Sequence, residues 1–545
     1  MALVRPPLSA PGIYVQEVPS GVRTIVGVST SLTVFFGRAE RGPVGQPIEV
    51  SSFSEYQHTF GGLLDDSPMP YSVQDFFLNG GGQAIIIRLF ENRLSSPLSP
   101  PFSGTFDEDT ALISPDPANV PSSPPVPALS LLASSPGAWG KSLTYFTDTK
   151  NITQTARDRF KKDGKGGWDA SDLFNLTISY ARPDGTKDLE SFAAVSTDPR
   201  SGPRYLKMVL EQTSSYARLV DTGSSPINSP PVDTHNGDVQ DSGKLSEGTY
   251  LAALDQLDRL DIYNIVCIPS DSFLGSHDIT PNVYAAAAGK CRDEKATLVL
   301  DPPSNWTDPT RDIHPDSFGT VFGYGPASDL APYSALYFPR VQSEDPLNSD
   351  AIITRPACGI IAGIMARTDA TRGVWKAPAG QETGLNGITG LNYKLTDTEN
   401  GNLNQVGVNC LRSFPVVGPV VWGARTLAGA DVLSSDFKYL PVRRLTDFIE
   451  QTLLRQTRFA VFEPNDEPLW SQLRLAIGAF MNDLFRQGAF QGSSRDKAFF
   501  VKCDATTTTQ DDIDKGIVNI EVGFAPLKPA EFVVIYIEQS AGQTA

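Results

Sequence analysis

Three apolar runs in the middle of the chain restrict its fold more than any other feature. Ile262 to Ile268 stops at Pro269, Ala296-Thr-Leu-Val-Leu300 stops at Asp301-Pro-Pro303, and Ser334-Ala-Leu-Tyr-Phe338 has the same apolar character. Each has the length and near-continuous hydrophobicity of a buried strand. Helical patterns alternate with them. Tyr250, Leu254 and Leu257 share one helix face, Ala285 to Ala288 continues helically, and a helix is expected from Pro356. Strand, helix, strand spacing of this kind over 246–428 favours a parallel sheet covered by helices.

The remainder divides by composition. Residues 21–95 read as the first part of an α/β core, with a strand-rich Val22 to Phe36, a helix-like Phe53 to Phe60, and a buried strand at Ala84-Ile-Ile-Ile-Arg-Leu89 after the turn Asn79-Gly-Gly-Gly82. Prolines and serines then crowd a linker that leads into strand candidates such as Phe174 to Ile178, so 96–245 reads as a β-rich insertion. In 429–525, Leu445, Phe448, Ile449 and Leu453 follow the helical period, as do Trp470, Leu473, Ile477, Phe480 and Leu484. Two amphipathic helices, 443–460 and 468–487, are therefore predicted. Asn465-Asp-Glu-Pro468 starts the second and Gly488 ends it. Strands are expected from Ala498 to Cys503, Ile517 to Val522 and Phe532 to Ile537. The whole is an α/β and α+β multidomain chain, as 545 residues exceed what one core organises.

Both ends read as arms. In residues 1–20, prolines and glycines bracket Ile13, Tyr14, Val15, Gln16, Glu17 and Val18, one β-prone strand with no local partner. In 526–545, Pro526 and Pro529 precede Phe532, Val533, Val534, Ile535, Tyr536 and Ile537. A lone strand set off by prolines needs a sheet to join, and that sheet can belong to another subunit.

Charge and motifs narrow the function. A formal charge of -17 argues against a surface built to hold nucleic acid or an anionic membrane. No signal-peptide core and no run of about 18 apolar residues is found, so the expectation is a soluble, cytoplasmic product without membrane insertion. In that setting the N-x-T sequons at Asn151, Asn175 and Asn305 are chance matches. Cys267, Cys291, Cys358, Cys410 and Cys503 are scattered singly, as suits reduced thiols. His58, His235, His277 and His314 lack metal-ligand spacing, and neither a P-loop nor a G-x-S-x-G elbow occurs. Gly80 to Gly82 precedes a strand, the wrong side for a dinucleotide fingerprint. The Asp163 to Asp169 loop lacks the ligand alternation of a calcium site. The basic run Arg157 to Lys165 reads as a solvated face. No cofactor or metal is expected. Cys358, at a helix start, is the one candidate nucleophile, where the helix dipole lowers a thiol's pKa; no histidine is near in sequence to serve as its base. Dense small residues at Gly359, Ala362, Gly363 and Ala366 would let the same helix approach another element tightly.

Several segments together resemble the contractile tail sheath family of phage tails, R-type bacteriocins and extracellular contractile injection systems. They are Pro11-Gly-Ile-Tyr-Val-Gln-Glu-Val18, Phe76 to Gly81 leading to Ile85 to Arg88, Ser135 to Lys141, Gly363 to Ala379, Asn409-Cys-Leu-Arg412, Val421 to Thr426 and Phe524 to Ala530. The resemblance implies a central subtilisin-like domain without a catalytic triad, a C-terminal sheath domain, and terminal strands lent to neighbouring copies. Receiving strands are expected at Phe499, Phe500 and Val501 and at Ile517, Val518, Ile520 and Val522. It implies a helical homo-oligomer around an inner tube protein, with baseplate and terminator or cap proteins, and contraction that drives the tube through a target envelope. The alternative is a soluble subtilisin-like or cysteine hydrolase.

Overall fold

The computed structural model describes residues 24–91, 114–115, 129, 131–153, 173–182, 185–219, 242–273, 278–532 and 534. The expected strand Ile13 to Val18, the Arg157 to Lys165 run, the Asp163 to Asp169 loop, His235, His277, Val533 and Ile535 to Ile537 lie outside them. The chain forms two units. The larger takes 29–447 and 528–545, the smaller 1–28 and 448–527. Among the described residues no helix is long and apolar enough to cross a membrane.

The larger unit is organised by an eight-stranded sheet in the order Gly418–Val421, Val408–Phe414, Ser334–Phe338, Thr297–Leu300, Ile265–Cys267, Thr33–Gly37, Ala84–Arg88, Pro47–Val50. The six inner strands run parallel and the two edge strands antiparallel. The reason for the continuous apolar runs is visible in the side-chain alternation. Val34, Ile85, Val266 and Leu298 point into one hydrophobic cluster with the helices Glu247–Leu254 and Pro281–Asp293. Phe35, Ile86, Cys267 and Val299 point into another with the helices Pro68–Leu78 and Cys358–Arg372. With both faces covered, the inner strands are apolar at most positions and do not alternate with polar residues.

The strand at 265–267 is shorter than the run Ile262 to Ile268. Just before it, the Asn264 side-chain oxygen accepts from Leu32 N at 3.0 Å. Of the Val22 to Phe36 stretch, the described residues from Thr24 on form a strand only from Thr33. The small residues of the Cys358–Arg372 helix serve close approach to Pro68–Leu78. A β-carbon at Gly359 would collide with the Ser72 carbonyl, and one at Gly363 with that of Phe76.

The described residues between 129 and 219 build a separate layer in the same unit. Leu143–Asp148, Phe174–Ala181 and Lys187–Val195 form an antiparallel sheet, joined by Ser114–Pro115, over a core that includes Trp139, Leu176, Ile178 and Leu210. It is pegged to the α/β core by Arg41, whose guanidinium lies 4.8 Å from the ring of Tyr180, 5.1 Å from Tyr216 and 5.9 Å from Trp139. Arg88 adds a second tie, donating to the carbonyls of Gly42 and Pro136 at 2.7 Å each.

The smaller unit contains the helix Glu467–Arg486 and the end of Leu440–Gln456, close to the two predicted helices. Asp466 caps the second of these by accepting from Leu469 N, with Pro468 in the first turn. Phe448 packs on Phe480 with ring centroids 6.0 Å apart.

Candidate assembly site

The smaller unit ends in a two-stranded antiparallel ribbon, Phe499–Lys502 against Glu521–Phe524. Phe499 stands opposite Phe524, Phe500 opposite Gly523, Val501 opposite Val522 and Lys502 opposite Glu521. On one face Phe490 gathers the rings of Phe499 and Phe524 at 6.0 and 5.4 Å. On the other, the Phe500 ring lies over Gly523, where a β-carbon would collide with it, and remains 49% exposed. Beyond the strands, Ala525 N donates to Ala498 O at 2.9 Å and Gln491 N to Ala525 O at 2.8 Å.

Among the described residues each ribbon strand has one partner strand. A two-stranded sheet is marginal by itself, and its unpaired edges present N–H and C=O groups to any extended segment. That is what the site can do chemically: it can accept a further strand through main-chain hydrogen bonds, without any reactive group.

The expected receiving residues divide. Phe499, Phe500, Val501 and Val522 lie in the ribbon. Ile517, Val518 and Ile520 do not; they precede the strand, which begins at Glu521. The reason is packing. Val518 and Ile520 rest against the buried cluster of Leu469, Trp470, Leu473 and Cys503, and Asn465 Nδ2 holds the Ile517 carbonyl at 2.9 Å. Ala498 also leaves the expected strand, because it closes the short helix Arg495–Ala498. Of the C-terminal arm, Phe532 and Val534 are outside any strand and 77% and 71% exposed.

The carboxyl ends of the parallel strands, where open α/β sheets commonly bind ligands, are closed by charged side chains whose roles the sequence did not reveal. Arg38 Nε donates to Asp271 Oδ1 at 2.7 Å, and both side chains are buried. Arg340 Nη2 reaches Asp278 at 2.6 Å while its Nε holds the Pro302 carbonyl at 2.9 Å. Outside the large sheet, Arg355, the last residue of the strand Ala351–Arg355, pairs with Asp75 of the helix Pro68–Leu78, and both side chains are buried. Of these, Arg38 and Arg340 stand just after the apolar strands Thr33–Gly37 and Ser334–Phe338, whereas their partners carry no such mark in the sequence.

Cys358 begins its helix as expected but is fully buried, and Asp301 Oδ1 accepts from the backbone N–H groups of Ala357 and Cys358 at 2.8 and 3.0 Å. Burial pushes the Cys358 thiol well above its ordinary pKa, with the hydrogen-bonded Cys267 and the Asp301 charge acting in the same direction. The dipole effect is thus outweighed by desolvation, and a thiol held protonated is a poor nucleophile. Among the described residues no group of three or more His, Cys, Asp and Glu side chains is arranged to hold a metal.

Comparison with known proteins places this geometry. Residues 243–427 match the model of the phage tail sheath protein central domain, and 433–540 that of the phage tail sheath C-terminal domain. The chain is 28% identical over 181 residues to the tail sheath protein of Vibrio phage KVP40, covering 33% of this chain and 26% of that protein. It is 27% identical over 262 residues to a putative prophage major tail sheath protein of Pseudomonas aeruginosa, covering 47% and 61%. The matched stretches are thus less than two thirds of the length of either relative. The fold matches the anti-feeding prophage helical sheath in its contracted state over 98% of this chain and 100% of that one, with TM-score 0.57 and 20% identity. It also matches the sheath tail protein of Listeria innocua over 92% and 96%, with TM-score 0.55 and 12% identity. The two family models together take in more than half of the chain, which belongs to the phage tail sheath protein family.

Proposed function

We propose that this chain is the structural subunit of a contractile sheath that polymerises helically around an inner tube through strands lent between copies. The observation that carries the reading is the two-stranded ribbon Phe499–Lys502 and Glu521–Phe524, half-finished as a sheet and bearing an exposed Phe500. Ile13 to Val18 and Phe532 to Ile537 are the donors in this reading. The receiving edge is narrower than the sequence led us to expect, comprising the ribbon itself without Ile517, Val518 and Ile520.

A joint of about five main-chain hydrogen bonds, each worth roughly 1 kcal/mol net, is modest alone and becomes a mesh when repeated around every ring. Head-to-tail exchange of this kind does not close on itself, so a helical polymer is its product. Contraction then proceeds by rotation and outward displacement of rigid subunits while the pairing persists, releasing energy held in a metastable extended lattice.

Residues 21–95 and 246–428 serve as the core, likened to subtilisin without its chemistry. Residues 96–245 form the outward insertion and 429–525 the C-terminal sheath domain. The helices Leu440–Gln456 and Glu467–Arg486, with Leu454 and Leu475 exposed, offer the face for the inner tube. Baseplate and terminator or cap proteins bound the polymer, which assembles in the cytoplasm and becomes part of a tail or injection particle. The fold also matches a chain of the anti-feeding prophage baseplate, which supports the baseplate contact.

Negative-stain microscopy of the purified protein tests this: tubes or rings are expected, and discrete monomeric particles alone refute it. Deleting residues 1–20 is expected to abolish ordered polymers while leaving a folded monomer; normal tubes from that variant would refute strand donation by the N-terminal arm.

A further inference from the structure

Two of the segments that carry the family resemblance, Asn409 to Arg412 and Val421 to Thr426, meet Glu531, the residue directly after a third, at one buried side chain. Arg425 is 1% exposed. Its Nε and Nη2 grip the two carboxylate oxygens of Glu531 at 2.7 and 2.6 Å, while Nη1 donates to Asp431 Oδ1 at 2.9 Å and to the carbonyls of Asn404 and Gly429 at 2.7 and 3.1 Å. The backbone of Arg425 is fixed in turn. Asn409, fully buried on the strand Val408–Phe414, accepts from Arg425 N at 2.7 Å and donates to the carbonyls of Arg425 at 2.8 Å and Leu336 at 3.1 Å. Glu531 immediately precedes Phe532, which is 77% exposed.

We infer that Arg425 and Glu531 anchor the root of the C-terminal arm to the central sheet, so that load on a donated arm enters its own subunit at this pair. The inference rests on the strand-donation reading above. A continuous path runs from the arm through Glu531, Arg425 and Asn409 into two adjacent parallel strands. Bidentate pairing suits this role, because the planar fork fixes direction as well as distance. The pivot of the arm then lies beyond Glu531, and the proline-bearing stretch 526–530 is a strap within one subunit instead of the hinge between subunits. Glu531 is a positioning residue here.

Glu531→Ala tests the anchor without emptying the site, since Arg425 keeps Asp431 and two carbonyls. Nitroxides on Phe532→Cys and the exposed Val416→Cys, with all five native thiols buried, report the position of the arm root in the unassembled subunit. Glu531→Ala is expected to widen that distance distribution at least twofold and to raise the critical concentration for polymerisation at least tenfold. Glu531→Asp is expected to fall between the variant and the wild type. An unchanged distance distribution with polymerisation within twofold of wild type would overturn the anchor. Failure of the wild-type protein to polymerise would overturn the sheath reading, while the distance measurement would still decide the anchor.

Discussion

The eight-stranded sheet and the two-stranded ribbon are built from the same backbone chemistry and finished to opposite degrees. In the large sheet every inner strand is paired on both sides, both faces are buried, and Arg38–Asp271 and Arg340–Asp278 occupy the carboxyl ends of its strands. In the ribbon each strand has one partner among the described residues, and Phe500 is half exposed across from Gly523. The difference teaches where each region's free energy is committed. A completed sheet supports rigidity and offers nothing to a second chain, whereas an unfinished one has its remaining hydrogen bonds still to make. Substitutions in the first should therefore act on folding, and substitutions in the second on assembly.

The largest expected effect comes from the closed region. Arg355→Ala leaves Asp75 buried and uncompensated, which should cost about 3–5 kcal/mol in denaturant unfolding of the subunit. A loss below about 1 kcal/mol would mean that this end of the molecule is wetter than the buried pair indicates. Arg41→Ala should come next, loosening the insertion by about 2 kcal/mol through loss of its three ring contacts. Hydrogen exchange in the strand Phe174–Ala181 reads this directly; unchanged protection there would show that the insertion is held without Arg41, by ties such as Arg88 to Pro136, Tyr180 to Glu40 and Ser135 to Gly42.

Asp301 sharpens the comparison through pH. Burial holds its carboxyl above the ordinary value of 3.8, despite the opposing hydrogen bonds from Cys358 and Ala357 and the charge of Arg340. A carboxyl raised in the folded state costs stability as pH rises through that raised value, and the cost vanishes below the unfolded pKa of about 3.9. Asp301→Asn should therefore unfold at a higher urea concentration than wild type at pH 7, with the difference shrinking as pH falls toward 4. A constant difference across that range would place its cause elsewhere than in the charge.

The smallest effect on the subunit alone, and the one most diagnostic of the open region, is Phe500→Ser. Half-exposed in the isolated subunit, this ring should contribute no more than about 1 kcal/mol to its stability, while its loss should raise the critical concentration for polymers at least tenfold. Unaltered polymerisation would remove the exposed ribbon face from the assembly contact.

These contrasts also explain what could be read from the sequence. The runs at 265–267, 297–300 and 334–338 were legible because a strand buried on both faces is apolar on both, giving a near-continuous run, and the two long helices because their buried positions recur at the helical period. Ile517 to Ile520 misled for the same reason. A short β-branched run looks alike whether it pairs in a sheet or packs against Trp470 and Leu473, and only the surrounding structure decides. The charged pairs were invisible in spacing, since Arg38 and Asp271 are 233 residues apart and Arg425 and Glu531 are 106 apart. Asp301 was noticed only as the end of a strand, and its capping of the Cys358 helix depends on a partner 56 and 57 residues away.

The most direct test is a high-resolution electron cryomicroscopy map of the polymer formed by this chain. Strand donation requires continuous main-chain density from another copy lying alongside Phe499–Lys502 or Glu521–Phe524 at hydrogen-bonding distance. A map in which the ribbon stays two-stranded and both chain ends fold onto their own subunit would contradict it.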